Sequence, residues 1–242
     1  MSQYFPRAIR LSAVSGAAMI ALLVGPQAAK AQIATLTFDS PAACGGVCNA
    51  FSSPILSSYG TGMIPGVTVT VGILNAFSTV GNLGTISPSL SWGSGTGPAS
   101  FSSGFAFGDQ NIPPHIGAFK FVSPGLDLSF LGMKLSTNAV GTTADVRVYD
   151  LTGNLLWENG VAAPGAGSNY NLAPGSVTSV GAAPAVNGGF VVEFTDSPTS
   201  LKLANTFVDN VSFGVVPEPA TMSLLAVGLV GMAGMRRRKR QS

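Results

Sequence analysis

The side chains able to do chemistry are few: two cysteines, one histidine and ten carboxylates among 242 residues. Cys44 and Cys48 bracket Gly-Gly-Val, a span that glycine lets close as a small loop, and an oxidising compartment would join them as a disulfide. A zinc site is a poorer fit, since two thiolates and a single imidazole do not make a tetrahedron. A redox Cys-x-x-Cys would carry one residue fewer between the thiols. Asp39, after an early strand, and Asp209–Asn210, in a late one, would gather hard oxygen ligands if those two strands pair, which suits a structural Ca2+ ion. The competing reading is local: Asp39 opens a turn, and Asp209 bonds nearby backbone. No other cofactor is called for.

His115 follows Pro113-Pro114, which reads as an exposed loop, and no G-x-S-x-G elbow accompanies it. Hydrolysis of glycosides needs two carboxyl groups about 5–9.5 Å apart, and the spacing of the acids marks no such pair. P-loop, G-x-G-x-x-G and H-E-x-x-H patterns are absent. The chain therefore reads as non-catalytic. Trp92, Trp157, Tyr149, Tyr59 and Tyr170 offer rings on which a sugar can stack, but Trp157 and Tyr149 flank a hairpin and suit a core equally well.

These residues sit on short elements with a β period. No sustained 3.6-residue apolar repeat occurs between Gln32 and Val216. Alternating or β-branched runs predict strands at Ala34–Phe38, Val67–Gly72, Ala118–Val122, Leu126–Leu135, Asp145–Tyr149, Leu155–Glu158, Val177–Val180, Gly189–Thr195, Thr199–Leu203 and Asn210–Val215. Asp150-Leu151-Thr152-Gly153-Asn154 is a polar, glycine-bearing hairpin loop. Val146 and Val148 alternate with Arg147 and Tyr149, so one of these faces points inward. Residues 75–109, rich in Gly, Ser, Thr and Pro, read either as a long loop or as irregular edge strands. Regular short strands with turn chemistry between them predict an all-β antiparallel sandwich or jelly roll.

The ends differ from the body. Arg7 and Arg10 precede an apolar run from Leu11 to Val24, and Ala29-Lys30-Ala31 follows as an A-x-A cleavage pattern, placing the mature start at Gln32. At the other end, Pro217 and Pro219 fix φ and remove two backbone donors, presenting Glu218 on extended chain. Ala220–Met235 carries no charge and would span about 24 Å as a helix. Arg236, Arg237, Arg238, Lys239 and Arg240 close it with five adjacent cations, which cannot be buried and match the positive-inside preference. With both ends set aside, the body keeps only Lys120, Lys134, Arg147 and Lys202 against nine acids, a net charge of about −5. Nucleic-acid binding, which needs clustered cations, is excluded on that count.

The turn, apolar segment and basic block at residues 215–242 resemble the PEP-CTERM sorting signal of Gram-negative bacteria. The resemblance implies export by the Sec translocon, trimming by signal peptidase and transient anchorage in the inner membrane. It also implies handover to an exosortase, with delivery to the cell surface or an exopolysaccharide matrix. Domain bounds come out as signal peptide 1–31, β-sandwich 32–214 and sorting signal 215–242, with a helix expected in each terminal segment. In the body, Thr37–Asp39, Val146–Asn154 and Val208–Phe213 resemble jelly-roll, lectin-type modules. That resemblance implies a calcium-stabilised carbohydrate-binding module as an alternative role, and a secreted polysaccharide hydrolase as another.

Overall fold

The computed structural model describes residues 31–38, 41–45, 53–88, 90–93, 105–108, 115–159, 169–196, 203 and 205–216. Both expected terminal helices lie outside those residues. Ala31–Val216 forms a compact unit of its own. Twelve strands make up nearly all of its regular structure: β1 (Gln32–Leu36), β2 (Ser53–Pro54), β3 (Thr68–Leu74), β4 (Leu90–Gly93), β5 (Phe105–Gly108), β6 (Ile116–Ser136), β7 (Thr143–Asp150), β8 (Leu155–Glu158), β9 (Tyr170–Asn171), β10 (Val177–Val180), β11 (Val186–Thr195) and β12 (Phe207–Val216). A single 3-10 turn at Pro41–Cys44 is the helical content of the described residues. Every pairing between strands is antiparallel.

One long strand organises the rest. Up to Val122, β6 is flanked by β3 and β11, and the order continues β3–β6–β11–β7–β8. From Asp127 onward its neighbours are β12 on one side and, on the other, β11 at Asp127–Leu128 and then β10 from Met133, in a second wing that continues through β12 to β5, β4 and β2, with β1 also on β12. The sequence predicts two strands here, broken at Ser123-Pro124-Gly125. Instead the chain turns a corner within one strand. Gly125 takes φ +80°, and Gly188 (φ +81°) and Gly189 (φ +136°) bend β11 beside it, where the register shifts between Asn187 and Gly189. At Gly189 the Phe121 carbonyl would lie 2.1 Å from any Cβ, so only glycine fits.

Folding at this corner brings the inner faces of the two wings together. Phe121 meets Phe213 at 4.5 Å and Phe190 at 4.9 Å between ring centroids, and Phe130 reaches across to the edge of Trp157 at 6.2 Å. Phe119, Phe121, Phe130, Phe190, Phe194 and Phe213 are fully buried. Each contributes roughly 1.5–3 kcal/mol through burial, which makes these rings the main apolar adhesive between the wings.

A second, smaller core lies on the opposite face of the first wing. Leu74, Ile116, Ala118 and Val191 are covered there by Phe77, Leu83 and Ile86 from the β3–β4 connection and by Leu151. That connection is held by backbone bonds between Ile73 and Ser87 in both directions, and by Gly81 N–H donating to the Thr152 carbonyl at 2.7 Å. Residues 75–109 thus contain both a strap over the sheet and the short strands β4 and β5, which pair in order between β2 and β12 and do not form the edge. Of the predicted Thr199–Leu203 strand, only Leu203 is described; it is buried and outside any strand.

Candidate functional site

The strap covers a cluster of charge built by strand alternation. Asp145, Arg147 and Tyr149 share the outer face of β7, while Val146 and Val148 face the inner core. Cross-strand register sets Glu158 of β8 and Glu193 of β11 on either side of Arg147. Arg147 Nε donates to Asp145 Oδ2 at 3.0 Å and Nη2 lies 2.8 Å from the same oxygen, while Glu158 Oε1 completes the ion pair 3.1 Å from Nε; the guanidinium lies 4.0 Å over the Phe77 ring. Asn159, at φ +43°, ends β8 by accepting the Val146 N–H at 2.7 Å and donating to Asp145 Oδ1 at 2.8 Å. Asparagine tolerates that left-handed backbone better than most residues.

Glu193 is wholly buried. Its carboxyl accepts the Ser78 N–H at 3.0 Å and a short bond from the Ser78 hydroxyl, fastening the strap to the sheet 115 residues away. Burial pushes its pKa from 4.5 up to about 7, with the two Ser78 bonds and the Arg147 charge acting in the opposite sense. Between these values the folded state holds a proton that the unfolded chain releases. The contribution of Glu193 to stability therefore falls as pH rises from about 4.5 to 7, by up to about 1.4 kcal/mol per unit, and is constant outside that window. Glu193→Gln should remove this slope and be the more stable form at pH 8. Urea midpoints at pH 5 and pH 8 test this; equal pH slopes for the two proteins would refute the assignment.

Beside the strap, Ser78, Thr79, Val80, Tyr149, Gly153, Asn154 and Leu155 line a groove of about 520 Å3. Its tyrosine is 3% exposed, and burial pushes the phenol up to about 12, so the hydroxyl stays protonated. The loop below is rigid in design. Asp150 Oδ1 accepts N–H bonds from Thr152 at 2.8 Å and Asn154 at 2.9 Å, as expected of an Asx turn. Burial acts to raise the Asp150 carboxyl, but side-chain bonds from Asn154 Nδ2 at 2.8 Å and the Thr152 hydroxyl at 2.7 Å, with the two N–H bonds, hold it below the usual range.

The three acids around Arg147 form a constellation that the sequence only half reveals, since Glu193 joins it through the register of β11. They do not form a hydrolytic pair open to substrate: Asp145 and Glu193 are 0% exposed and Glu158 is 8% exposed. The aromatic candidates also redistribute. Trp157 and Tyr59 are core residues and Tyr170 is half-buried, whereas the Trp92 side chain lies outside what is described. Tyr149 is buried on the outer face, because the strap roofs a side of β7 that alternation alone does not show to be covered. His115 is half-buried with its Nδ1 sealed from solvent, which corrects its reading as an exposed loop residue.

Of the calcium candidates, Asp39 lies outside the described residues. Its expected strand partnership does form: β1 and β12 pair, with Leu36 opposite Val211. Asp209 is buried, and its two carboxylate oxygens accept from the Asn210 N–H at 2.7 Å and Asn210 Nδ2 at 2.8 Å. Asn210 itself sits at φ +53° in an irregular stretch of β12. Among the described residues no three His, Cys, Asp or Glu side chains gather as a metal site. Cys44 is disulfide-bonded; Cys48 lies outside the described residues.

The last strand ends in the sheet at Val216, opposite Asp127, and Pro217, which comes next, has no N–H to extend the ladder. Residues 215–239 match the PEP-CTERM protein-sorting motif. The PEP-CTERM match overlaps the sheet only at its first two residues, Val215 and Val216. Pro217, Glu218, Pro219 and the cations Arg236, Arg237, Arg238, Lys239 and Arg240 fall within or just beyond it and outside the described residues, as does Ala29. Ala31 and Gln32 are described and exposed at the start of β1.

No curated protein matches the chain. Among solved structures it is similar to the Podospora anserina GH26-CBM35 β-(1,4)-mannanase, with a TM-score of 0.34 and 11% identity over 64% of this chain and 29% of that one. The enzymatically active domain of bacteriophage CBA120 tailspike protein 4 gives 0.33 and 15% over 61% and 19%. The Arthrobacter globiformis T6 isomalto-dextranase complexed with panose gives 0.32 and 10% over 61% and 34%. The chain thus spans about a third or less of those proteins. Overlaps at these scores bear on neither ligand nor reaction.

Proposed function

We propose that this is an exported, non-catalytic protein whose β-sandwich body, of jelly-roll type, is delivered to the cell surface or extracellular matrix by an exosortase. The observation that carries the reading is the PEP-CTERM match placed directly after the last strand. The Ala29-Lys30-Ala31 pattern directly before the first strand supports it from the other end. On this reading, Glu218 and its prolines are what the sorting enzyme recognises. The apolar run holds the substrate in the inner membrane, and the five cations stop transfer. A Cys44–Cys48 disulfide suits the oxidising destination. Exopolysaccharide is the proposed neighbour at that destination, and structural Ca2+ is not required.

Intact mass and terminal sequencing of protein from the native host test both processing sites together. The expected product begins at Gln32 and has lost the residues after the Pro217–Pro219 turn. A full-length chain recovered from cytosol would overturn the proposal.

The groove beside Tyr149 favours a second reading, a glycan-binding module. The lining of the groove combines the apolar side chains of Val80 and Leu155 with the polar Thr79, the mixture of surface and hydrogen-bonding group that sugars need. Binding without product release on a glycan panel separates that module from a hydrolase.

A further inference from the structure

The edge where the chain enters and leaves the sheet carries an apolar face. Gln32 is the Cα partner of Val215, and Ile33 is the partner of Gly214. Alternation turns Phe213 and Val215 into the core and Gly214 and Val216 outward. Gly214 has no side chain to cover this outer side, and Ile33 and Leu131 flank it: a Cβ there would meet Leu131 Cδ1 at 3.2 Å and Ile33 Cγ1 at 3.5 Å. Ile33 is 69% exposed, Val216 39% and Leu131 37%. These are three of the eight large exposed apolar side chains among the described residues, gathered on one face at the exit of the chain. The charged group opposite Val216 is Asp127, which accepts from Asn187 Nδ2 at 2.9 Å.

The residues just beyond Val216 decide the occupant. Only Pro217, Glu218 and Pro219 separate it from the uncharged run at Ala220. Four residues reach about 14 Å at full extension, less than the thickness of one leaflet with its headgroups. We propose that Ile33, Leu131 and Val216 form a lipid-contact face that rests in the bilayer interface while the apolar run is inserted. This rests on the membrane-anchored stage of the sorting reading. The nearest exposed cation on β6 is Lys134, three residues past Leu131 and opposite Asp209, so among the described residues Ile33, Leu131 and Val216 present apolar groups alone and suit a zwitterionic interface; the five cations lie beyond the apolar run in sequence. The acidic body elsewhere would be held off anionic lipid, which favours contact through this neutral edge alone.

Full-length chains labelled with a nitroxide at Ile33→Cys or at Leu131→Cys, reconstituted in phosphatidylcholine vesicles, test the idea. Val140→Cys, 92% exposed in the β6–β7 turn at the opposite end of β12, is the control. Collision with oxygen should rise, and collision with a water-soluble nickel chelate should fall, at positions 33 and 131 relative to position 140. If the chain floats with the vesicles while all three labels remain equally open to nickel, the lipid face is wrong and the sorting reading stands. Dipolar broadening between labels at 33 would show a second copy covering the face and would also overturn it. Failure of the chain to float would instead remove the anchored stage on which the proposal rests.

Discussion

Arg147→Met is expected to destabilise the body by roughly 3–5 kcal/mol at pH 8, the usual cost of stripping one partner from a buried ion pair. The arginine side chain is 23% exposed, and its partners Asp145 and Glu158 are 1% and 10% exposed, so water can replace little of what the guanidinium supplies. Methionine keeps an apolar stem but loses the guanidinium that lies over Phe77 and leaves three acids around one site without a cation. For a body of this length, the loss should lower Tm by about 6–20 °C. Acidification should shrink the difference as the carboxyls take up protons. A loss below about 1 kcal/mol would place Arg147 with ordinary surface pairs and would sink the account of the cluster as a buried one.

Replacing Pro217, Glu218 and Pro219 together with alanine should cut the processed surface form at least about tenfold, the equivalent of about 1.4 kcal/mol of lost recognition. The unprocessed precursor should accumulate in the inner membrane. Two physical changes combine. Removing Glu218 takes away the one acid in the segment, and removing the prolines lets the backbone continue the β12 ladder past Val216 and hide the turn. Glu218→Gln alone, with both prolines kept, separates charge from shape. The body should melt as wild type in every case, because Ala31–Val216 is compact without the segment. Normal surface delivery of the triple variant would refute the sorting assignment.

Short apolar or β-branched runs bounded by turn residues were legible. β8 and β10 have the bounds that the pattern gives, and Asp150–Asn154 is the hairpin loop its composition describes. Short strands such as β4 and β5 were left open between loop and strand, because four residues among glycines and serines carry too little period to decide. The β6 corner was misread as a break for a different reason. Pro and Gly signal a turn locally, but whether the pairing resumes in the same strand depends on β11 bending in step at Gly188 and Gly189. The charge cluster was half visible. Asp145 and Arg147 share a face by alternation, and Glu158 lies just across the hairpin. Glu193 reaches them only through sheet register, and Ser78 only through the strap, neither of which has a local signature.

The pairing of Gln32 with Val215 has an architectural consequence. Entry and exit of the chain are one strand spacing apart, about 5 Å. The body is therefore a near-closed loop of polypeptide, able to sit as an insert between flanking sequences without prising them apart. Whatever holds either end grips a footprint only two strands wide, leaving the remaining perimeter of the sheets unencumbered by attachment.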